Sequence, residues 1–184
     1  MKISKTQLPE HSILNNLKYD YADSFQGELK DIYDNVTPSE MGKAFFLSAP
    51  KWVEYLLNFR NKIVSVFGLK TSGSSINKLT QIDNFKGEPG ERMGLFMVFN
   101  KTENELVLGE DDKHLNFRVS LLIGPGQQHC SSKSITISTT VKFNNWFGKL
   151  YFLPVRPFHK LIVPIMLKGT IQQLEMKLIR TDYE

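Results

Sequence analysis

Between Trp146 and Leu167 the chain sets Leu150, Tyr151, Phe152, Leu153, Phe158, Leu161, Ile162, Val163, Ile165 and Met166 around Arg156, His159, Lys160 and the prolines 154, 157 and 164. Read as a helix, this stretch is apolar nearly all round, and such a helix has to be covered on more than one side. A bilayer would cover it, but Arg156, His159 and Lys160 at the centre of so short a span are costly in hydrocarbon. Burial inside a protein is therefore expected, with no membrane span. Each proline removes a backbone donor and leaves the carbonyl four residues earlier unpaired, so Leu150, Leu153 and Lys160 lose partners and the helix should kink.

A cover must come from the rest of the chain, and 184 residues suffice for one domain with a single core. Residues 1–18 read as an N-terminal arm and 19–184 as the domain. Charge excludes little by itself: 23 Lys and Arg against 19 Asp and Glu leave +4, with no concentrated basic patch, so no nucleic-acid partner is expected. One cysteine, Cys130, rules out an intramolecular disulfide and a thiolate metal cluster and suits a reducing compartment. Residues 1–14 carry no continuous apolar run of the kind a secretory leader needs, so a cytoplasmic protein is expected.

The order of elements supplies the cover. Tyr19, Tyr21, Asp23, Phe25, Gly27 and Leu29 alternate on one face of a long first strand, 19–33. Thr37, Pro38 and Glu40 form a capping-box signature for a helix over 38–47. A second helix, opened by Pro50 and stopped by Gly68, carries Trp52, Val53, Leu56, Leu57, Ile63 and Phe67 at helical spacing. One short strand is expected over 79–85. Strands over 94–100, 105–110, 114–124 and 134–143 then form an antiparallel meander; in the third, Leu115, Phe117, Val119 and Leu121 oppose Asn116, Arg118 and Ser120. Asn144 or Asn145 caps the final helix, which runs to about Leu178, with Gly169 allowing a close approach or a break. The fold class is α+β: a curved antiparallel sheet wrapped around a long C-terminal helix, with two short helices after the first strand.

This order resembles the helix-grip fold of the START-like, or SRPBCC, superfamily. In residues, the chain is similar to a bacterial family of domains of unknown function within it, some of whose members follow a short-chain-dehydrogenase-type domain. The matching pieces are Tyr21 to Phe25, Pro50 to Val53, Arg60-Asn61, Gly68-Leu69, Gly94 to Phe96, Gly109 to Leu115, Phe117-Arg118, Gly148 to Tyr151 and Pro157 to His159. They span about residues 19–167. Pro154 and Pro164 depart from the family pattern and bear on the straightness of the last helix. No fused nucleotide-binding half is expected with this domain, so nothing about NAD or NADP carries over, and no cofactor is expected.

The candidate ligand-binding residues are His159, Arg156, Tyr151, Trp146, Arg118 and Phe117. His159 can exchange protons near neutral pH, against the plainer reading of a structural histidine bonded to backbone. Arg156 can fork onto a ligand carboxylate or pair with an acid from the sheet. Tyr151 and Trp146 can stack on a ligand or belong to the core. The run Glu110-Asp111-Asp112-Lys113-His114 has metal-ligand residue types, but Asp-Asp between strands is turn chemistry, with Arg118 near, so no metal is expected. Cys130 beside His129 lacks a third partner for nucleophilic catalysis. The leading expectation is a module that binds a small apolar or amphipathic molecule between sheet and final helix. The second is a cyclase-like or hydrolase-like enzyme using that same cavity, which rests on fold analogy. The third is an interaction domain, which a large exposed apolar patch would favour.

Overall fold

A computed structural model describes residues 1–31, 35–50, 78–125 and 132–181. The expected second helix, beyond its opening Pro50, and the polar loop holding His129 and Cys130 lie outside them. Seven antiparallel strands form one curved sheet: β1 (Ser4–Thr6), β2 (Tyr21–Lys30), β3 (Arg92–Met93), β4 (Phe96–Lys101), β5 (Glu105–Asp111), β6 (Leu115–Pro125) and β7 (Ser132–Phe143), in spatial order β1-β2-β7-β6-β5-β4-β3. Three helices are described: α1 (Pro38–Leu47), α2 (Lys78–Asn84) and α3 (Trp146–Thr181). The arrangement is α+β and fits the helix grip.

Period-two alternation decides which residues α3 meets. In the β2–β7 register, Tyr21, Asp23, Phe25, Gly27 and Leu29 stand opposite Val141, Thr139, Ile137, Ile135 and Lys133; in the β6–β7 register, Phe117, Val119, Leu121 and Ile123 join the same face. Of these, Phe25, Leu29, Val119, Leu121, Ile123, Ile135 and Ile137 form one core, with Phe117 against it, together with Leu106 and Leu108 of β5, Met41, Phe45 and Phe46 of α1, and Val163, Leu167, Ile171 and Leu174 of α3. Fully burying each such aliphatic side chain contributes about 1.5–3 kcal/mol.

The opposite face is polar yet also covered. There the N-terminal arm forms a 3-10 turn, Ile13–Asn16, with Leu14 fully buried. The buried carboxylate of Glu105 accepts from the Ser12 hydroxyl at 2.6 Å and from the Ile13 amide at 2.9 Å, and Ser24 donates to Ser138 at 2.8 Å. A buried carboxylate needs such donors to offset its lost hydration.

The capping box of α1 is present: the Glu40 amide donates to Thr37 Oγ1 at 3.3 Å, and the Glu40 carboxylate accepts from the Thr37 amide at 2.9 Å. Residues 79–85 are not a strand. They lie mostly in α2, because Ile82 and Phe85, three apart, both reach the core while Leu79 between polar neighbours stays exposed. The short β3 had no sequence signal; it exists because Gly94, at φ 58°, lets the chain reverse into β4.

The last helix departs most from expectation. It continues unbroken through Pro154, Pro157 and Pro164, and also through Gly169, where a Cβ would meet Ser48 Cβ at 2.9 Å at the end of α1. The stranded carbonyls belong to Leu150, Leu153 and Lys160, all at exposed positions where water can take them. Nor is α3 wrapped all round. Leu167 and Ile171 are fully buried, whereas Trp146 is 75% exposed and Leu161 63%. The sheet takes one side only, and among the described residues no element covers the outer side of the N-terminal half.

Candidate functional site

One acid interrupts the helix-facing side of β2. Asp23 follows Tyr21 and precedes Phe25 on that face, and its side chain is 2% exposed. Its Oδ2 accepts from the Tyr21 hydroxyl at 2.7 Å and lies 3.1 Å from Nδ1 of His159, which α3 presents from above. The other oxygen, Oδ1, is buried with no hydrogen-bond partner among the described residues. Directly opposite on β7 stands Thr139, whose buried Oγ1 is likewise unpartnered among them. Paired residues across two strands project to one side, so two unsatisfied oxygens share a small area of a largely apolar surface. Leaving such groups unpaired costs about 1–3 kcal/mol each.

Aromatic side chains wall this area. Tyr21 meets the edge of Phe152 at a centroid distance of 4.9 Å, and Phe143 lies 5.6 Å from Phe152. The Arg156 guanidinium sits over the Tyr21 ring, 5.2 Å from its centroid. Burial, reinforced by the hydrogen bond to Asp23 and its negative charge, pushes the Tyr21 hydroxyl well above its ordinary pKa, so Tyr21 remains a donor. With Nδ1 held by the carboxylate, the imidazole directs Nε2 away from Asp23, the orientation in which a histidine can pass or take a proton.

A family described as protein of unknown function (DUF2867) matches residues 17–166. The chain belongs to the DUF2867 family. No curated protein and no solved structure matches it. The DUF2867 match includes both sides of the cluster, Tyr21 and Asp23 on β2 and Arg156 and His159 on α3.

Of the six residues expected in a site, this DUF2867 chain brings two together, His159 and Arg156. His159 meets a carboxylate rather than backbone, and Arg156 covers the Tyr21 ring rather than pairing with a sheet acid. Tyr151 is half-buried on α3, two turns before His159. Trp146 is at the exposed start of α3, where it lines a shallow groove of about 400 Å³ with Asp20, Phe143, Asn144, Asn145 and Lys149. A second groove, of about 330 Å³ between Val36, Glu40 and Leu174, lies towards the far end of α3. Phe117 packs edge-on against Phe96 at 5.8 Å. Arg118 points to the other face of the sheet, over the Phe99 ring at 3.5 Å, and pairs with Asp111 at 2.8 Å. The acidic run is dispersed into such local contacts: Glu110 takes Arg92 at 2.7 Å, and His114 meets Asn145, whose Oδ1 caps α3 by accepting from the Gly148 amide at 3.0 Å.

Tyr21, Asp23 and Thr139 are not among the residues that the sequence marks for a site, although Tyr21 and Asp23 lie in its first expected strand. A signal existed for one of them: an aspartate in phase with Phe25 and Leu29 is an acid on a core-facing row, which is retained only with buried partners. Thr139 gives none, because threonine is ordinary in a strand.

Proposed function

We propose that this protein binds a small amphipathic ligand at the seam between β2, β7 and the N-terminal half of α3. The carrying observation is the pair of buried oxygens, Asp23 Oδ1 and Thr139 Oγ1, unpartnered among the described residues and borne by residues paired directly across two strands. An amine or hydroxyl head donating to Asp23 Oδ1 would satisfy the acceptor that is most costly to leave unpaired. Thr139 would add a second hydrogen bond, and Phe152 and Phe143 supply apolar walls for the adjoining part of the ligand. The packed core around Leu167 and Ile171 confines the ligand to the N-terminal half of the helix. Entry is past His159, 20% exposed, with Arg156 and Tyr21 at the rim.

The resemblance to the START-like superfamily, whose fold encloses ligands between sheet and helix, supports this reading, as does the single Cys130 for a reducing, cytoplasmic setting. A second reading, acid–base catalysis on the bound molecule, is favoured by one feature: the Tyr21–Asp23–His159 chain orients an imidazole beside the proposed ligand position. The experiment is a thermal-shift and native mass spectrometry screen of long-chain amines, alcohols and aromatic amines. Binding that Thr139→Val and Asp23→Asn weaken at least tenfold, with folding retained, supports the site. Failure of all three classes to bind, or binding indifferent to both substitutions, overturns it.

A further inference from the structure

The outer side of α3 has a pattern that the buried side does not explain. Trp146, Leu150, Leu153, Phe158, Leu161 and Ile165 are large, apolar and exposed, each between 45% and 75%. Trp146, Leu150, Leu153 and Leu161 recur at i, i+4, i+7 and i+15, which sets them along one line of the helix, with Phe158 and Ile165 beside it. At 1.5 Å per residue the strip runs for about 30 Å. The prolines 154 and 157, also exposed, lie within the strip and add no charge. Helix α3 is long and apolar enough to cross a bilayer, and under a quarter of its most apolar window is buried. The face opposite the strip is nonetheless committed to the sheet through Phe152, Val163 and Leu167. A helix so held can lie on a membrane but cannot span it without leaving its own core.

Charge identifies the occupant. Lys149, Arg156 and Lys160 follow one another at i, i+7 and i+11 along one flank of the strip, and Lys168 stands at its end. No Asp or Glu occurs on the helix before Glu175. These four cations equal the net charge of the whole chain, +4. A second copy seated face to face would bring two such cationic flanks together with no acid between them, which is repulsive. An exposed apolar strip edged by lysine and arginine, with a tryptophan at one end, fits the boundary between anionic headgroups and acyl chains.

We propose that the outer face of α3 docks the protein peripherally on an anionic phospholipid surface, with the strip at acyl-chain level and the lysines among the headgroups. Apart from Arg156, which belongs to both, this stands on observations separate from the Asp23 cluster. The test is co-sedimentation of the full chain with phosphatidylglycerol-rich vesicles and with pure phosphatidylcholine vesicles, at low and high salt, alongside sedimentation velocity without lipid. Binding to the anionic vesicles is expected to exceed that to the neutral ones by at least tenfold and to fall with salt. The double variant Leu150→Glu/Leu161→Glu, folded by circular dichroism, should not bind. Lys149→Gln/Lys160→Gln/Lys168→Gln, which leaves the apolar strip whole, should bind about a hundredfold more weakly, at roughly fivefold per cation. Absence of wild-type binding to anionic vesicles, or equal binding to both lipids, overturns the proposal. So does a concentration-dependent dimer that the Leu150→Glu/Leu161→Glu variant disperses, since the strip would then hold a second copy.

Discussion

At the scale of single residues, the unusual chemistry gathers around Asp23. A carboxylate this buried persists where donors reach it, and Tyr21 and His159 both contact Oδ2. The raised pKa of Tyr21 makes the folded state hold that proton more tightly than the unfolded chain does. The resulting stabilisation is complete below the unfolded-state value of about 10 and is lost as pH rises towards the folded value. Denaturation followed between pH 8 and 12 should show stability falling on the alkaline side, and Tyr21→Phe should reduce that slope. An unchanged slope in the variant would mean that Tyr21 titrates as an ordinary exposed tyrosine. His159 and Arg156 were legible as candidates from their residue types within an apolar segment. Asp23 was legible only as an anomaly in an alternating row, and its partner on α3 lies 136 positions away, beyond any local pattern.

At the scale of elements, strand alternation and helix capping carried most of the assignment, because both depend on neighbours a few residues apart. The capping box of α1 is an example, and its Glu40 also takes the Lys177 ammonium of α3. Burial alone would raise the Glu40 pKa, but Lys177 and Thr37 outweigh it and hold the carboxyl below its ordinary value. That contribution is present above the unfolded-state value of about 4.3 and is lost as pH falls through the folded one. Thr37→Ala should cost about 1 kcal/mol at neutral pH in chemical denaturation, and Lys177→Ala should flatten the decline in stability below pH ~4. The junction of α3 with the β5–β6 turn depends on Gly148, where a Cβ would collide with the His114 carbonyl. Gly148→Ala should therefore destabilise by about 1–3 kcal/mol despite its better helix propensity; a gain in stability would show that the turn yields freely. The strand expected over 79–85 gives way to α2 because Ile82 and Phe85, three apart, can share a helix face but not a strand face, and both pack into the core.

For the whole molecule, α3 carries two surfaces on one helix. Leu167→Ala, in the core against the sheet, should cost about 2–5 kcal/mol. Leu161→Ala, on the outer strip, should change stability by no more than about 0.5 kcal/mol, although the two side chains are identical and six residues apart. Comparable losses at both positions would show that the strip is covered within the folded chain. The sequence by itself determined the long strand that contains Asp23, the antiparallel meander, the cap of α1 and the presence of a C-terminal helix apolar nearly all round, since each is written in short-range periodicity. Only the tertiary structure decided which side of that helix the sheet takes, that among the described residues the other side remains open, and that Asp23, opposite Thr139 in the sheet, meets His159. Periodicity reports that a side chain is apolar or polar; what covers it, or what pairs with it, depends on chain segments brought together by the fold.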